Sequence, residues 1–295
     1  MKRGFISAIT ALMLVGTTAV AQEIAKTNKS ISNQAIVNTT QNLTKQKNSI
    51  KVVQEAVDAV ALSQQVLVEL NENQKDKAIK TLEKAIGKLE VVMSAPNAPA
   101  LIPIAARVEA SEFLGTPYDV ENAVITSTAL LRSRHIQEAR VIVEKLKDEI
   151  DLITVNLPLA SYPAALKLAA KYLHEDKIDK AKVVIANALH TFVEVDVITP
   201  IGIIQAQQFV QEASKIAKSD KKRAMEYLQA AKMALKKSEA LGYTSRSDTT
   251  YKMLQDAISN ITKEIKGKNE STKLFEELIE KLKEFKDKAI GSITK

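Results

Sequence analysis

The chain contains no cysteine and no tryptophan among its 295 residues. Without cysteine there are no disulfide bonds, no thiolate metal ligands and no amino-terminal cysteine for lipidation. Aromatic residues make up only 4% of a sequence that is 45% hydrophobic, so alanine and aliphatic side chains must fill the core. Because only 8 glycines and 7 prolines are available for turns, we predict long helices joined by short connections.

The first 21 residues have the features of a secretory signal. Two basic residues follow Met1, residues 5–15 are apolar, and Ala19-Val20-Ala21 offers small side chains for cleavage before Gln22. A signal anchor is the competing interpretation, but the apolar run is shorter than the roughly 20 residues that a membrane span needs. We therefore predict a signal peptide over residues 1–21, cleavage after Ala21, export to the bacterial periplasm and no stable membrane insertion.

Charge of neither sign dominates the sequence. The chain has 42 basic and 35 acidic residues, and two of the basic residues belong to the predicted signal. The excess concentrates in residues 215–237, where eight Lys and Arg residues accompany only Asp220 and Glu226. Such a run can hold phosphate groups, but a solvated helix face explains it better in an exported protein. We therefore predict no nucleic-acid partner.

The mature chain divides into a polar leader and a long helical region. Residues 22–49 are rich in Asn, Gln, Thr and Ser with weak periodicity, which is typical of a flexible leader or a frayed helical arm. From residue 50 onward apolar residues recur at spacings of three and four, which predicts amphipathic helices. Proline-containing breaks at residues 94–103, 114–119 and 156–163 separate the helices. We predict a single helical domain over residues 50–295.

One helical pattern recurs along this region. Four segments superpose with a polar opening, an alanine and then large apolar residues at helical spacing: 76–92 with Ala78, 137–153 with Ala139, 179–195 with Ala181, and 222–238 with Ala224. The pattern resembles half of a tetratricopeptide hairpin, but the copies are 61, 42 and 43 residues apart instead of about 34. We therefore predict an all-α fold, a bundle of antiparallel helical hairpins with irregular repeat-like character.

The stretch NLPLASYPAALKLAAKYL, residues 156–173, places two prolines in this helical chain. Pro158 favours an extended conformation at the residue before it, so we expect the preceding helix to end near Asn156. Ser161 can cap a new helix, and Pro163 fits its first turn because an amide hydrogen there has no intrahelical partner. Tyr162 then packs with nearby leucines as an apolar plug. A structural corner is the main interpretation and a ligand-binding corner the alternative.

A carboxyl-terminal segment, residues 271–293, carries an apolar stripe. Its large residues recur at spacings of three and four on one face, opposite a face with balanced charges. That balance differs from the basic face of a helix bound to anionic lipid. Two alternatives follow, since the stripe can fold back on its own domain or pack against another subunit. The stripe consists of Leu274, Phe275, Leu278, Ile279, Leu282, Phe285 and Ile290.

Motifs for catalysis and metal binding are missing from the sequence. The three histidines, His135, His174 and His190, are far apart, and none has a second ligand at metal-binding spacing. Glycine loops that cradle phosphate and the nucleophile motif GxSxG do not occur. We therefore predict no enzyme activity, no cofactor and no metal site.

Several segments together resemble the YfdX family of exported bacterial proteins. They are residues 156–173 with the corner N-L-P-L-x-x-Y-P, and ALIPIAARV (100–108), VEVDVITPI (193–201) and ALGYTSR (240–246), within a region of roughly residues 50–285. The resemblance implies an all-α fold, a periplasmic location, self-association and chaperone-like behaviour in acid or antibiotic stress. It supplies no catalytic residue. The family motif falls on Asn156, Leu157, Pro158, Tyr162, Pro163, Leu241, Gly242 and Tyr243.

Two functions from different classes follow from this sequence. The first is a non-enzymatic, stress-associated periplasmic protein that is protective or chaperone-like and responds to acid through changes of oligomeric state. Its partners are further copies of itself and unfolded periplasmic clients. The alternative is a helical scaffold that binds a peptide or a small amphiphilic ligand in a groove.

Overall fold

A computed structural model describes residues 7–245, 247–267, 271–289 and 291–294, and side chains from Gln22 to Asp287 apart from a few gaps. Residues 1–6 of the predicted signal peptide lie outside the described residues, as do the side chains of residues 7–21. The elements in chain order are α1 (Ser7–Ser49), α2 (Gln54–Asn71), α3 (Lys75–Met93), β1 (Leu101–Ser111), α4 (Pro117–Arg132), α5 (Ile136–Val143), β2 (Glu149–Pro158), α6 (Tyr162–His174), α7 (Ile178–Ala188), β3 (Val193–Pro200), α8 (Ile201–Ile216), α9 (Lys221–Ala240), α10 (Thr249–Lys266), α11 (Thr272–Ala289) and β4 (Gly291–Thr294).

The described chain is predominantly helical, which confirms the predicted fold class, and it also contains a small sheet. The strands lie in the order β1-β2-β3-β4, and β4 pairs antiparallel with β3. Helices and strand follow one another three times along the chain, as α2-α3-β1, α4-α5-β2 and α6-α7-β3. Three of the four recurring segments therefore belong to helix-helix-strand units, in which only the two helices form a hairpin; the fourth, 222–238, lies in α9 and is followed by α10.

The three hairpins close with the same turn. Asn73, Arg134 and Asp176 each follow the first helix of a hairpin and have φ values of 60°, 62° and 63°. In the second hairpin the His135 N–H donates to the Leu130 carbonyl, five residues earlier, at 2.9 Å, and the other two turns have the equivalent bond. This is the Schellman arrangement, which satisfies carbonyls at the end of a helix.

The recurring alanines occupy equivalent positions in these hairpins. Ala78, Ala139 and Ala181 each lie four residues after the N-cap residue that precedes the second helix, and their N–H groups donate to the carbonyl of that N-cap residue. All three are at most 1% exposed. The small side chain lets the second helix approach its partner where the hairpin begins, so this part of the sequence prediction is confirmed.

All four superposed segments were expected to be helical throughout, and for two of them this expectation is wrong. The first of them, 137–153, leaves helix α5 after Val143 and enters β2 at Glu149; the second, 179–195, leaves α7 after Ala188 and enters β3 at Val193. Each strand is rich in isoleucine, valine and threonine, which pack well on a pleated sheet. The proline-rich loop expected over 94–103 is also shorter, because β1 begins at Leu101.

The chain divides into two compact units, whereas the sequence predicted one domain over 50–295. The first unit comprises residues up to 41, 110–150 and 199–290, and the second comprises 42–109, 151–198 and 291–295. In the first unit α8, α9, α10 and α11 surround a core that includes Leu228, Leu254 and Leu278. In the second unit α2, α3, α6 and α7 enclose a core that includes Leu82 and Leu166.

The segment expected to be a flexible leader or a frayed arm is helical. Residues 22–49 form the larger, carboxyl-terminal part of α1. Ala35 is 4% exposed and Leu43 is 6% exposed, so this part of the helix has buried contacts despite its polar composition.

The carboxyl-terminal stripe belongs to the core of its own unit. Phe275, Leu278, Leu282 and Phe285 are each at most 3% exposed and join the core formed with α8 and α10. Leu274 and Ile279 pack at its edge, and Ile290 lies outside the described residues. Of the two alternatives for this stripe, folding back on its own domain is the one observed.

Candidate functional site

The corner at residues 156–163 joins a strand to a helix. β2 ends at Pro158 and α6 begins at Tyr162, so the helix expected to end near Asn156 is in fact a strand. Ser161 precedes α6 as expected, but its side chain makes no capping hydrogen bond. Pro163 lies in the first turn and is buried. The Leu159 N–H donates to the Ala100 carbonyl at 3.0 Å, which fixes the backbone of the corner.

Tyr162 is the buried centre of this corner. Its side chain is 0% exposed, as is that of Leu157, and its ring stacks on Phe192 with 5.7 Å between centroids. Burial raises the pKa of Tyr162 to about 12, and the nearby Ser63 hydroxyl offsets this only in part. The Ser63 hydroxyl donates to the Ala59 carbonyl, and the Tyr162 hydroxyl has no partner in bonding geometry among the described residues. The arrangement is that of an apolar plug.

Asn156, near the end of β2, connects this strand with β3. Its Nδ2 group donates to the Thr154 carbonyl at 3.0 Å and to the Val193 carbonyl at 3.2 Å. The side chain is 5% exposed. An amide with two such partners holds the end of β2 beside the start of β3, and leaves no exposed group for a ligand.

The other motif residues, Leu241, Gly242 and Tyr243, end helix α9 in the first unit. Gly242 has φ 87°, and the Tyr243 N–H donates to the Ser238 carbonyl, which is the same Schellman turn as in the hairpins. Here glycine supplies the left-handed conformation without steric cost. The structure thus assigns a structural role to this trio and places it in a different unit from the corner.

Tyr243 reaches a buried polar cluster that the sequence did not reveal. Its hydroxyl donates to Glu149 Oε2 at 2.6 Å and accepts from the Asp148 N–H at 3.1 Å. Burial, followed by the hydrogen bond to Glu149, raises the pKa of Tyr243. Lys237 Nζ lies 3.0 Å from Asp148 Oδ1 in the same cluster. Lys237 was expected only as one member of the basic run, and no spacing rule connects it with Asp148.

The basic run as a whole does not form one charged face. Lys215 pairs with Glu212 at 2.7 Å, Lys221 donates to the Gly267 carbonyl, and Lys232 donates to Ser259 Oγ. With Lys237 buried beside Asp148, these cations have separate protein partners. This dispersal favours the interpretation as ordinary helix surface.

Helices α4 and α5 present an apolar surface to solvent. α4 buries only Val120 and Ser127, and α5 buries only Ala139. Large apolar side chains are exposed throughout this part of the chain, which is rare in such density on a monomeric protein. We call it the hairpin surface, and it consists of Leu114 (89% exposed), Tyr118 (68%), Ile125 (67%), Leu131 (52%), Ile136 (61%) and Val141 (55%).

A groove of about 680 Å³ lies beside the start of α4 and is also lined by α9 and α10. Lys232 and Lys236 line the α9 wall, and Glu121 lines the α4 wall. Tyr251 is buried in the groove and donates to Glu239 Oε2 at 3.1 Å. The groove therefore combines apolar contacts with charges of both signs.

Within the described residues, no three His, Cys, Asp or Glu side chains converge in a way that would hold a metal ion. His135 does have a carboxylate neighbour, contrary to expectation, since its Nδ1 lies 2.8 Å from Glu138 Oε1 on the exposed surface. No helix in the part of the chain that the structure describes is long and apolar enough to cross a bilayer.

Comparison with known families matches residues 59–198 to the family described as YfdX protein. Residues 59–198 belong to the YfdX family. This YfdX segment contains the corner residues from Asn156 to Pro163, and the resemblance stated for them is confirmed. Leu241, Gly242 and Tyr243 lie beyond the match, so their place in the family motif stays a prediction.

A solved crystal structure of YfdX from Salmonella Typhi is similar to this chain. The two share 15% identity, the likeness covers 52% of this chain and 95% of that chain, and the TM-score is 0.37. Comparison with curated protein sequences finds no significant match.

Proposed function

We propose that this protein is a non-enzymatic, stress-protective periplasmic protein that holds unfolded polypeptides on the hairpin surface. The observation that supports the proposal is the concentration of exposed apolar side chains on α4, on α5 and in the segment just before α4, where Leu114 at 89% exposure is the extreme. Removing one large aliphatic side chain from water contributes on the order of 1.5–3 kcal/mol. Several such contacts, engaged a few at a time, suit weak and reversible capture of an unfolded chain.

The charges around the hairpin surface suit clients of varied sequence. Arg140 pairs with Glu144 at 2.6 Å, and His135 contacts Glu138. Both cations and carboxylates occur along the two helices, so the surface repels neither acidic nor basic segments strongly. An unfolded polypeptide offers apolar side chains between charges of both signs, and it matches this surface better than a partner of one charge.

The thin packing of the hairpin makes it responsive to conditions. α5 contributes one buried residue, Ala139, and elements with few buried contacts open at low free-energy cost. Thr116 and Asp119 form a capping box at the start of α4, and hydrogen bonds from Thr116 lower the pKa of Asp119. Because the folded-state pKa is lowered, the cap stabilises α4 above the ordinary carboxyl pKa and is lost as pH falls through the lowered value. Acid would thus loosen the hairpin.

Self-association is part of the proposal. The apolar hairpin surface of one copy suits the same surface of a second copy, because both are apolar with mixed charges at the edges. Loosening of the hairpin by acid would then shift the oligomer toward smaller species and free the surface for clients.

The proposed location rests on the amino-terminal sequence, and mass spectrometry of a periplasmic fraction tests it. We expect a mature chain that begins at Gln22. Recovery of the full-length chain from the cytoplasm would contradict the periplasmic part of the proposal.

An aggregation assay tests the capture of clients. We expect the mature protein to suppress aggregation of a chemically unfolded client protein, followed by light scattering at neutral and acid pH. The double variant Ile125→Ser/Ile136→Ser should lose most of this protection while keeping its helical circular dichroism. Val183, which is 58% exposed on α7, provides the control Val183→Ser. Equal protection by all three proteins would contradict the proposal.

A second candidate function is binding of a small ligand, which the groove favours. Its volume of about 680 Å³ falls within the range of roughly 300–1,000 Å³ that is typical of ligand pockets. Titration with a small ligand detects this function, and the following inference specifies the ligand's chemistry.

A further inference from the structure

The groove beside α4 has two charges that the fold leaves unused. Lys236 on α9 and Glu121 on α4 both line the groove and are both exposed. Neither forms an ion pair or side-chain hydrogen bond within the described part of the chain. The other two charges of the groove are engaged, because Lys232 donates to Ser259 Oγ at 3.0 Å and Glu239 accepts from the Tyr251 hydroxyl.

The arrangement of these charges favours a ligand that carries both signs. A purely anionic ligand on Lys236 would face Glu121 and Glu239, while a purely cationic ligand on Glu121 would face both lysines. The groove's lining charges balance, with two lysines against two glutamates. A zwitterion places one charge on each wall, and so meets a partner without repulsion at either end.

Apolar side chains lie in the same groove. Tyr118 is 68% exposed and Met233 is 38% exposed, and Pro117 lines the same wall as Tyr118. An aromatic ring and a flexible thioether adapt well to apolar side chains of different shapes.

We propose that this groove binds a short apolar peptide with free termini. The peptide carboxylate contacts Lys236, its ammonium group contacts Glu121, and an apolar side chain packs on Tyr118 and Met233. Helices α4 and α9 pack on each other, and the axes of packed helices are roughly 8–10 Å apart. An extended tripeptide spans about 10 Å, so its termini reach both walls. This inference specifies the ligand of the second candidate function and rests on that function, not on client capture.

Calorimetric titration of the mature protein with the tripeptide Ala-Phe-Ala tests the proposal. The peptide is compared with its N-acetylated form and with its C-terminal amide. We expect the free peptide to bind, and each blocked form to bind about two- to five-fold more weakly, as is usual when one exposed ion pair is removed.

Variants assign each terminus to its wall. Glu121→Gln should weaken binding of the free peptide two- to five-fold. It should leave binding of the acetylated peptide unchanged, because acetylation has already removed the ammonium charge that Glu121 contacts. Lys236→Gln should likewise weaken binding of the free peptide and leave binding of the C-terminal amide unchanged. Lys222→Gln on α9 and Asp256→Asn on α10, which do not line the groove, are the matched controls.

Three outcomes would overturn the proposal: absence of binding at millimolar free peptide, equal binding of free and blocked peptides, or equal weakening by the control variants. The aggregation assay with Glu121→Gln and Lys236→Gln separates this proposal from client capture. Protection against aggregation should be unchanged in both variants, so either function can fail without the other.

Discussion

Lys237 and Asp148 form an ion pair inside the first unit, with 3.0 Å between Nζ and Oδ1 and side-chain exposures of 10% and 0%. The Phe113 N–H donates to the same carboxylate oxygen, and the Phe113 carbonyl accepts from Lys237. Burial raises the pKa of Asp148, and Lys237 offsets this only in part. The pair holds the end of α9 beside the residue before β2, and each partner depends on the other for compensation of its charge.

Removing one member of this pair should be costly. We expect Lys237→Met to lower the free energy of unfolding by about 3–5 kcal/mol, because it leaves the Asp148 carboxylate buried without its cation. The double variant Lys237→Met/Asp148→Leu should recover much of this loss. Urea denaturation measures both, with the exposed neighbour variant Lys236→Met as control. A loss below about 1 kcal/mol in the single variant would show that the pair is not closed to water.

Tyr162 should matter for stability through its ring and not through its hydroxyl. Tyr162→Ala removes a fully buried aromatic ring, which typically costs roughly 3–5 kcal/mol. Tyr162→Phe should change stability little at neutral pH, because the hydroxyl lacks a partner whose loss would cost energy. Above the ordinary tyrosine pKa of 10.0, the unfolding free energies of the natural protein and of Tyr162→Phe should diverge. Burial raises the folded-state pKa to about 12, so the contribution of the protonated phenol is complete below pH 10 and is lost as pH rises through 12.

Denaturation at pH 8 and pH 11 checks this difference. We expect Tyr162→Phe to gain on the order of 1–2 kcal/mol relative to the natural protein at pH 11. A Tyr162→Ala protein that kept its melting temperature but lost a ligand would instead favour the ligand-binding interpretation of the corner.

The sequence predicted the helical hairpins and their recurring alanine well, because both depend on local periodicity and on side-chain size. The turn between the two helices of each hairpin was harder to predict. Asn73, Arg134 and Asp176 occupy the same left-handed position, yet an arginine side chain has little in common with an asparagine or an aspartate. The backbone hydrogen bonds define this turn, and the identity of the residue at its left-handed position does not.

The strands and the buried cluster were missed for different physical reasons. The run from Ile150 to Val155 is short and mostly apolar, and such a run is compatible with a buried helix as well as with a strand. Asp148 and Lys237 are 89 residues apart, so only the tertiary fold brings them together. The exposed hairpin surface was not located either, since the apolar spacing of α4 is that of an ordinary amphipathic helix.

Arg134 is the residue of the shared turn that is least suited to it. Non-glycine residues in the left-handed conformation cost roughly 1–2 kcal/mol, and asparagine and aspartate, found in the other two turns, tolerate it best. We expect Arg134→Gly to stabilise the protein by up to about 1 kcal/mol, measured by thermal unfolding. Ser133→Gly, at a residue with φ −86°, is the control and should destabilise slightly. Destabilisation by Arg134→Gly would mean that the arginine side chain has a stabilising role of its own.

The stripe on α11 should behave as core and not as an interface. Leu282 is 0% exposed, and Leu282→Ala should cost about 2–5 kcal/mol in urea denaturation. Lys283→Ala, on the exposed side of the same helix, should cost little. Light scattering should show an unchanged oligomeric state in both variants. A Leu282→Ala protein that stayed stable but formed a smaller oligomer would instead indicate that the stripe is a subunit interface.

Hydrogen exchange of the protein alone and with an excess of a permanently unfolded client tests the capture of clients most directly. The account predicts that added client slows exchange in residues 113–143, which carry the hairpin surface, and that the Ile125→Ser/Ile136→Ser variant shows no such protection. Exchange in α7, which carries the control residue Val183, should stay the same. Protection in α7 with none in residues 113–143, or no protection anywhere while aggregation is still suppressed, would contradict the account.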